Sequence, residues 1–483
     1  MATTTISFVR RSCFLLSLCI VIICSLKEGY AFEESRESNA AESYLTHTFE
    51  VSSLFASSVC SHSTKANERE STFKIIDKYG PCFEPNRSRA LPPPSLTEIL
   101  RSDRARMNSF HARLSNKNSS RRDMIELNAA SIPVIDGSTF RTSNFLVKVG
   151  FGTPIKELSL VLDTGSDLTW TQCQPCETCY KQTEPLFDST KSSTYATIPK
   201  TDAVCKYVTR PGTVPPSAAS LCYYGIKYGD GSLSTGFFSK ETLTLSTDKI
   251  TGFLFGCGTN QKGDFDLEAG IMGLSQEKAS IVTQTAKKYS KIFSYCLPSS
   301  ASSTGHLSFG SQSLPSKIIY TKLVNKKSHY GLDLIGIGLG GTKLNIPESV
   351  FTTPGTIIDS GTVFTYLPPL AYPTFRDAFR AAMTAYPLAP TRPGDDLDTC
   401  YDLSKATTVK VPEISLFFKD GKVVGFPGKS SLVTYTKTQV CLGFAPYEKG
   451  DDETIIGNQM HRTMEVVYDV ARQRIGFSPK GCT

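Results

Sequence analysis

Several absences narrow the reading before any motif is considered. The 483 residues carry no block of like charges, and the net charge of +7 is spread along them. That pattern argues against nucleic acid as a partner. There is no Gly-x-Ser-x-Gly, and the six histidines have no evident partner, so a serine hydrolase is disfavoured. The triplet Cys173, Cys176 and Cys179 is followed by no His-x-x-x-His and no further Cys-x-x-Cys, so a zinc site is not supported. No metal or other cofactor is expected. Beyond Leu26 no long apolar run occurs, and the C-terminus has no hydrophobic tail, so no membrane anchor is expected.

What is present is the composition of a folded protein, 40% hydrophobic and 20% charged. The length calls for two or more folded units. Arg10 and Arg11 precede the apolar run Cys13 to Leu26, and small residues end at Ala31. This reads as a secretory signal over 1–31, so the chain is expected to be exported and extracellular. Export gives the cysteines their meaning. Cys13, Cys19 and Cys24 leave with the signal, and Cys60 and Cys82 lie early. The remaining ten are Cys173, Cys176, Cys179, Cys205, Cys222, Cys257, Cys296, Cys400, Cys441 and Cys482. In an oxidising compartment an even set of ten reads as five disulfides.

Residues 32–131 differ from the rest and read as a removable pro-segment rich in Ser, Glu and Arg. Ser95 and Glu98 form a capping box that starts a helix. Leu96, Ile99, Leu100, Met107, Phe110 and Leu114 follow at helical spacing, with Arg101, Arg104, Arg106 and Arg113 expected on the opposite face. Asn86 and Asn118 head glycosylation sequons. From about Ile132 the chain reads as mostly β, with a helix expected over Ala371 to Tyr386.

A weak internal repeat runs through this β region. The first half carries "VLDTGS" and later "GIMGLS", and the second carries "TIIDSGT" and later "TIIGNQ". Asp163 to Gly273 spans 110 residues, and Asp359 to Gly457 spans 98. Two lobes on one plan place Asp163 and Asp359 symmetrically. Either motif alone is an ordinary turn in which Asp bonds its own backbone. Together they supply a carboxylate pair. Two carboxylates about 3 Å apart repel by about 5 kcal/mol at an effective dielectric near 20, so they share one proton over a broad acidic range. The ionised member can take a proton from a water, and the protonated one can donate to a peptide carbonyl. Gly165 and Gly361 permit close backbone approach, and the hydroxyls of Thr164, Ser166, Ser360 and Thr362 can hold the pair in plane. "YGDGSLSTG" reads as a hairpin tip with its turn at Asp230-Gly231. Tyr228, Gly229, Asp230 and Ser232 then lie over the site, with Tyr228 able to bond toward Trp170.

On these motifs the chain resembles the pepsin-like aspartic proteases over about 140 to 483. The resemblance implies a bilobal acid-protease fold with an N-terminal lobe over 132–325 and a C-terminal lobe over 326–483. It implies Asp163 and Asp359 as the dyad, Tyr228 as the flap tyrosine and Trp170 beside it. The cysteine-rich stretch from Thr169 to Pro199, with "FGCG", "FSYCL" and "VCLGFAP", is similar to the plant nepenthesin-type branch. Lys200 stands where that branch has a cysteine, and one further cysteine before Cys222 is absent, so one disulfide has been lost whole. The implied function is a secreted endopeptidase of the plant apoplast, made as a zymogen and cutting proteins or peptides at acidic pH as a monomer. The alternative is a pepsin-fold binding or inhibitor protein without activity.

Overall fold

A computed structural model describes residues 45–62, 72–83, 94–115, 145–208, 219–228, 231–263, 265–312, 314–326, 329–391, 397–447, 453–479 and 482. The signal reading, both sequons, Gly229 and Asp230 lie outside them, as does the expected 131/132 boundary. The compact unit spans Tyr44–Thr483.

The architecture is mostly β and bilobal. A long sheet joins the lobes, and its order follows from the pairing registers. The strand Phe145–Phe151 pairs with Thr72–Asp77, which pairs with Thr304–Phe309 and then Ile292–Cys296. That strand crosses to Glu465–Asp469, then Arg474–Ser478, then Ile319–Lys326. Alternation builds the lobes around it. Leu158, Leu160 and Leu162 of the strand Lys156–Asp163 all point into the main core.

The repeat has a structural counterpart. The strand Gly270–Gly273 runs parallel to Lys156–Asp163, with Gly273 opposite Asp163. The strand Thr454–Ile456 runs parallel to Thr356–Ile358 in the same way. Each Asp therefore leaves the end of a buried strand beside the second apolar strand of its lobe. The backbones approach closely there: a Cβ on Gly457 would stand 2.1 Å from the Phe364 carbonyl oxygen.

The described residues of the expected pro-segment hold more structure than its composition suggests. The strand Thr46–Glu50 pairs with Thr408–Pro412. "TFKIID" occupies a central place in the interlobe sheet; short alternating segments of this kind are weak signals in isolation. The helix Leu96–Ser115 begins as expected: Ser95 N–H donates to Glu98 Oε2 at 2.6 Å and Glu98 N–H to Ser95 Oγ at 3.3 Å. The other helix is shorter than expected, Tyr372–Ala382, because Pro373 opens it and Met383 has left helical geometry.

Five disulfides use the ten late cysteines: Cys173–Cys257, Cys176–Cys179, Cys205–Cys222, Cys296–Cys482 and Cys400–Cys441. The triplet thus feeds two of them. A sixth joins Cys60 to Cys82. Near Lys200 backbone bonds close the insert, with Lys200 N–H donating to Ser220 O at 2.9 Å. Among the described residues no helix is long and apolar enough to cross a membrane. None of their His, Cys, Asp and Glu side chains forms a group of three or more that could hold a metal ion.

Candidate active site

The two motifs meet back to back where the lobes join. Asp163 and Asp359 are each 2% exposed. Asp163 accepts from Gly165 N–H at 2.9 Å and from Ser166 Oγ at 2.5 Å. Asp359 accepts from Gly361 N–H at 3.2 Å and from Thr362 Oγ1 at 2.6 Å. The loops also grip each other. Thr164 N–H donates to Ser360 Oγ at 3.0 Å, and Ser360 N–H donates to Thr164 Oγ1 at 2.9 Å. Ser360 Oγ donates onward to Leu162 O at 3.3 Å. Ser360 therefore supplies the same hydroxyl function as Thr164 without its methyl. Asn458, in the "TIIGNQ" stretch of the second half, adds a brace: its Nδ2 donates to Ser360 O at 2.9 Å.

The strands of the expected hairpin are formed. Strands Tyr223–Lys227 and Leu233–Leu245 pair antiparallel, with Lys227 opposite Leu233. Tyr228 N–H donates to Ser232 O at 2.8 Å, and Gly231 sits at φ 90°, a conformation that favours glycine. Trp170 Nε1 donates to Tyr228 Oη at 2.7 Å. Ser232 is buried. Phe265 joins them unannounced by the sequence; its ring meets Trp170 edge-on at 5.2 Å and Tyr228 at 6.1 Å, while Tyr180 stacks on it at 5.0 Å. No motif marks it, because only folding brings these rings together.

The largest departure from the sequence-based expectation is Arg106. Polarity places it on the solvent face of its helix, but its side chain is only 12% exposed and lies between the two carboxylates. Nε and Nη2 donate to Asp359 at 2.7 and 3.0 Å, and Nη2 and Nη1 donate to Asp163 at 2.6 and 3.2 Å. Gly361 leaves room for it, since a Cβ there would stand 2.2 Å from Nη2. Burial pushes the Asp359 carboxyl up, but the Arg106 charge and hydrogen bonds, with Thr362, outweigh it and hold Asp359 at about 2. Three residues earlier, Asp103 is 1% exposed. It accepts from Val363 N–H at 2.9 and 3.0 Å and from Phe364 N–H at 2.9 Å. Burial pushes its carboxyl up to about 7 against those bonds. Ile99, Asp103, Arg106 and Met107 share one helix face, so the buried stripe includes two charged residues. Ranking residues by polarity sorts them outward; the i, i+4, i+7 spacing from Ile99 is the available signal.

Two further ion pairs tie other residues of the expected pro-segment to the body of the chain. Lys78 is buried and donates to Glu268 at 3.0 Å. Asp77 pairs with Arg462 at 3.6 Å.

Two β-rich lobes with twin Asp loops at their junction define the acid-protease fold class. Residues 145–311 match the family described as xylanase inhibitor N-terminal, and residues 329–479 its C-terminal counterpart. The chain is 44% identical over 474 residues to an aspartyl protease family protein of Arabidopsis thaliana, covering 96% of this chain and 97% of that protein. It is 33% identical over 353 residues to aspartic proteinase nepenthesin-2 of Nepenthes gracilis, covering 70% of this chain and 78% of that protein. Among solved structures, basic 7S globulin from soybean aligns with TM-score 0.55 at 18% identity, covering 69% of this chain and 91% of that one; this likeness concerns the fold alone. The chain belongs to the pepsin-like aspartic proteases, in their atypical plant branch, and is an aspartic-type endopeptidase.

Proposed function

We propose that the protein is a secreted zymogen whose mature form hydrolyses peptide bonds in acid with a water activated between Asp163 and Asp359. The observation that carries this reading is the convergence of both carboxylates on one guanidinium supplied by the preceding basic helix. With Arg106 in place both carboxylates are matched by a fixed charge, and the position needed by a water and a peptide carbonyl is filled. When the helix leaves, two facing carboxylates share a proton. The ionised member takes a proton from water, which attacks the carbonyl; the other donates to the carbonyl oxygen. Gly165, Ser166, Gly361 and Thr362 hold the carboxylate planes, and Thr164 and Ser360 hold the loops in register. Tyr228, held by Trp170, and Ser232 close over an extended protein or peptide substrate.

The pH sense comes from linkage. Asp359 is depressed in the docked form, so its contribution to docking is present above its free value and lost as pH falls toward about 2. Through Asp359, acid below that free value therefore favours release, while the raised Asp103 works the other way between its own free value and about 7. Export to an extracellular, apoplastic setting agrees with the signal-like N-terminus and with six disulfides. The test is acidification of the full chain beside Asp163→Asn. Wild type is expected to process itself and cleave denatured protein in a pepstatin-sensitive way, and Asp163→Asn to do neither. A wild type that cuts nothing at any acidic pH would favour an inactive binding protein.

A further inference from the structure

Beneath the two Asp loops lies a buried polar chain that the mechanism above does not use. His461, Tyr295 and Tyr468 are each 0% exposed. His461 closes the short helix Asn458–His461, which comes after the strand Thr454–Ile456. Its Nε2 lies 3.2 Å from Ile456 O, and its Nδ1 lies 2.9 Å from Tyr295 Oη. Tyr295 Oη is 3.1 Å from Tyr468 Oη, and the Thr164 side chain is the next polar neighbour of Tyr468. The far end is equally informative. Ile456 O also accepts from Asp359 N–H at 3.1 Å. The chain therefore starts at the hydroxyl beside Asp163 and ends at the backbone of Asp359.

The chemistry of the end groups sets the direction of every bond. A carbonyl oxygen only accepts, so His461 Nε2 carries the proton. Burial lowers the pKa of His461 to about 4, so in milder acid the ring is neutral and Nδ1 accepts. Tyr295 must then donate to His461 and accept from Tyr468, which leaves the Tyr468 oxygen open as an acceptor toward the Thr164 hydroxyl. Thr164 Oγ1 is left at 3.5 Å from Asp359 Oδ1 while it accepts from Ser360 N–H at 2.9 Å. One imidazole tautomer thus decides where the Thr164 proton points.

We propose that His461 is a positioning residue for the Asp163–Asp359 pair, orienting the Thr164 hydroxyl through Tyr295 and Tyr468 and pinning the Asp359 loop through Ile456. None of these residues belongs to the pro-segment, so the chain persists after maturation. The proposal rests on the dyad reading. If that reading fails, the acid-treated wild type shows no pepstatin-sensitive activity, or Asp163→Asn keeps it. Either result is distinguishable from a change confined to the His461 and Tyr295 variants.

The experiment compares acid-matured wild type with His461→Gln, His461→Leu and Tyr295→Phe. Gln offers an acceptor to Tyr295 and a donor to Ile456 without an imidazole, and Leu offers neither. His461→Leu is expected to lower kcat about tenfold or more with KM within about twofold, and Gln to keep kcat within about threefold. Tyr295→Phe deletes one buried oxygen and should lose the same factor as Leu. Combined with Leu it should lose no more than either alone, as members of one chain do. Wild-type kcat in both the Leu and Phe variants would overturn the proposal. So would a Gln variant as slow as Leu, which would assign the effect to the shape of the ring. Should the Leu variant not fold, Tyr295→Phe decides: an unchanged kcat overturns the proposal and a tenfold loss upholds it.

Discussion

Replacing Arg106 by Ala should loosen the pro-segment and start processing at a higher pH. Arg106 donates four hydrogen bonds to two carboxylates whose side chains are each 3% exposed. Summing about 1.5–3 kcal/mol for each would overstate the loss, because all three groups give up hydration on docking. Removing one partner of a buried ion pair costs about 3–5 kcal/mol. The orphaned carboxylates recover part of that by binding one proton between them, so the lower end applies. About 3 kcal/mol is about two powers of ten in the docking equilibrium. At one proton per release the same energy equals about two pH units. Two readouts check it in the full-length chain. Amide exchange of the helix Leu96–Ser115 at pH 7 should lose about a hundredfold in protection, and self-processing should begin about one to two units higher in pH. Arg106→Lys should fall between, since an ammonium cannot fork to both carboxylates. Wild-type protection and an unchanged onset in Arg106→Ala would refute the clamp.

Asp103→Asn should act in the opposite sense. The docked carboxyl is raised to about 7. A raised acid favours docking below its docked value and opposes it as pH rises through that value. Asn keeps an acceptor for Val363 and Phe364 and does not titrate, so helix exchange at pH 8 should slow by at least about tenfold while pH 4 shows little change. Equal exchange at both pH values would remove Asp103 from the account. Phe375→Ala tests the C-terminal core. Its ring is 0% exposed and 4.5 Å from Phe444, so truncation should cost about 3–5 kcal/mol. That is a fall of several degrees in Tm by calorimetry, with kcat of the folded fraction unchanged; an unmoved Tm would contradict the packing.

The sequence alone determined the carboxylate pair, the repeat that makes it symmetric and the hairpin strands around Tyr228. Each is local: an apolar strand ending in Asp-[Thr/Ser]-Gly leaves little choice of backbone, and Asp-Gly between alternating strands marks a turn. The even cysteine count likewise foretold disulfides but not their partners, because Cys173 and Cys257 are brought together only by the parallel pairing of Trp170–Gln174 with Asp248–Lys262. Tertiary structure decided the rest. Arg106 has the pattern of a surface charge on an amphipathic helix, and only a cleft holding two carboxylates makes it a buried one. His461 lies two residues past "TIIGNQ" and carries no signal of its own, and only the pairing of Ile292–Cys296 with Glu465–Asp469 brings Tyr295 and Tyr468 together beside it. Periodicity reports which residues avoid water. It does not report which buried polar groups will find each other, because that depends on distances set by strands far apart in the chain.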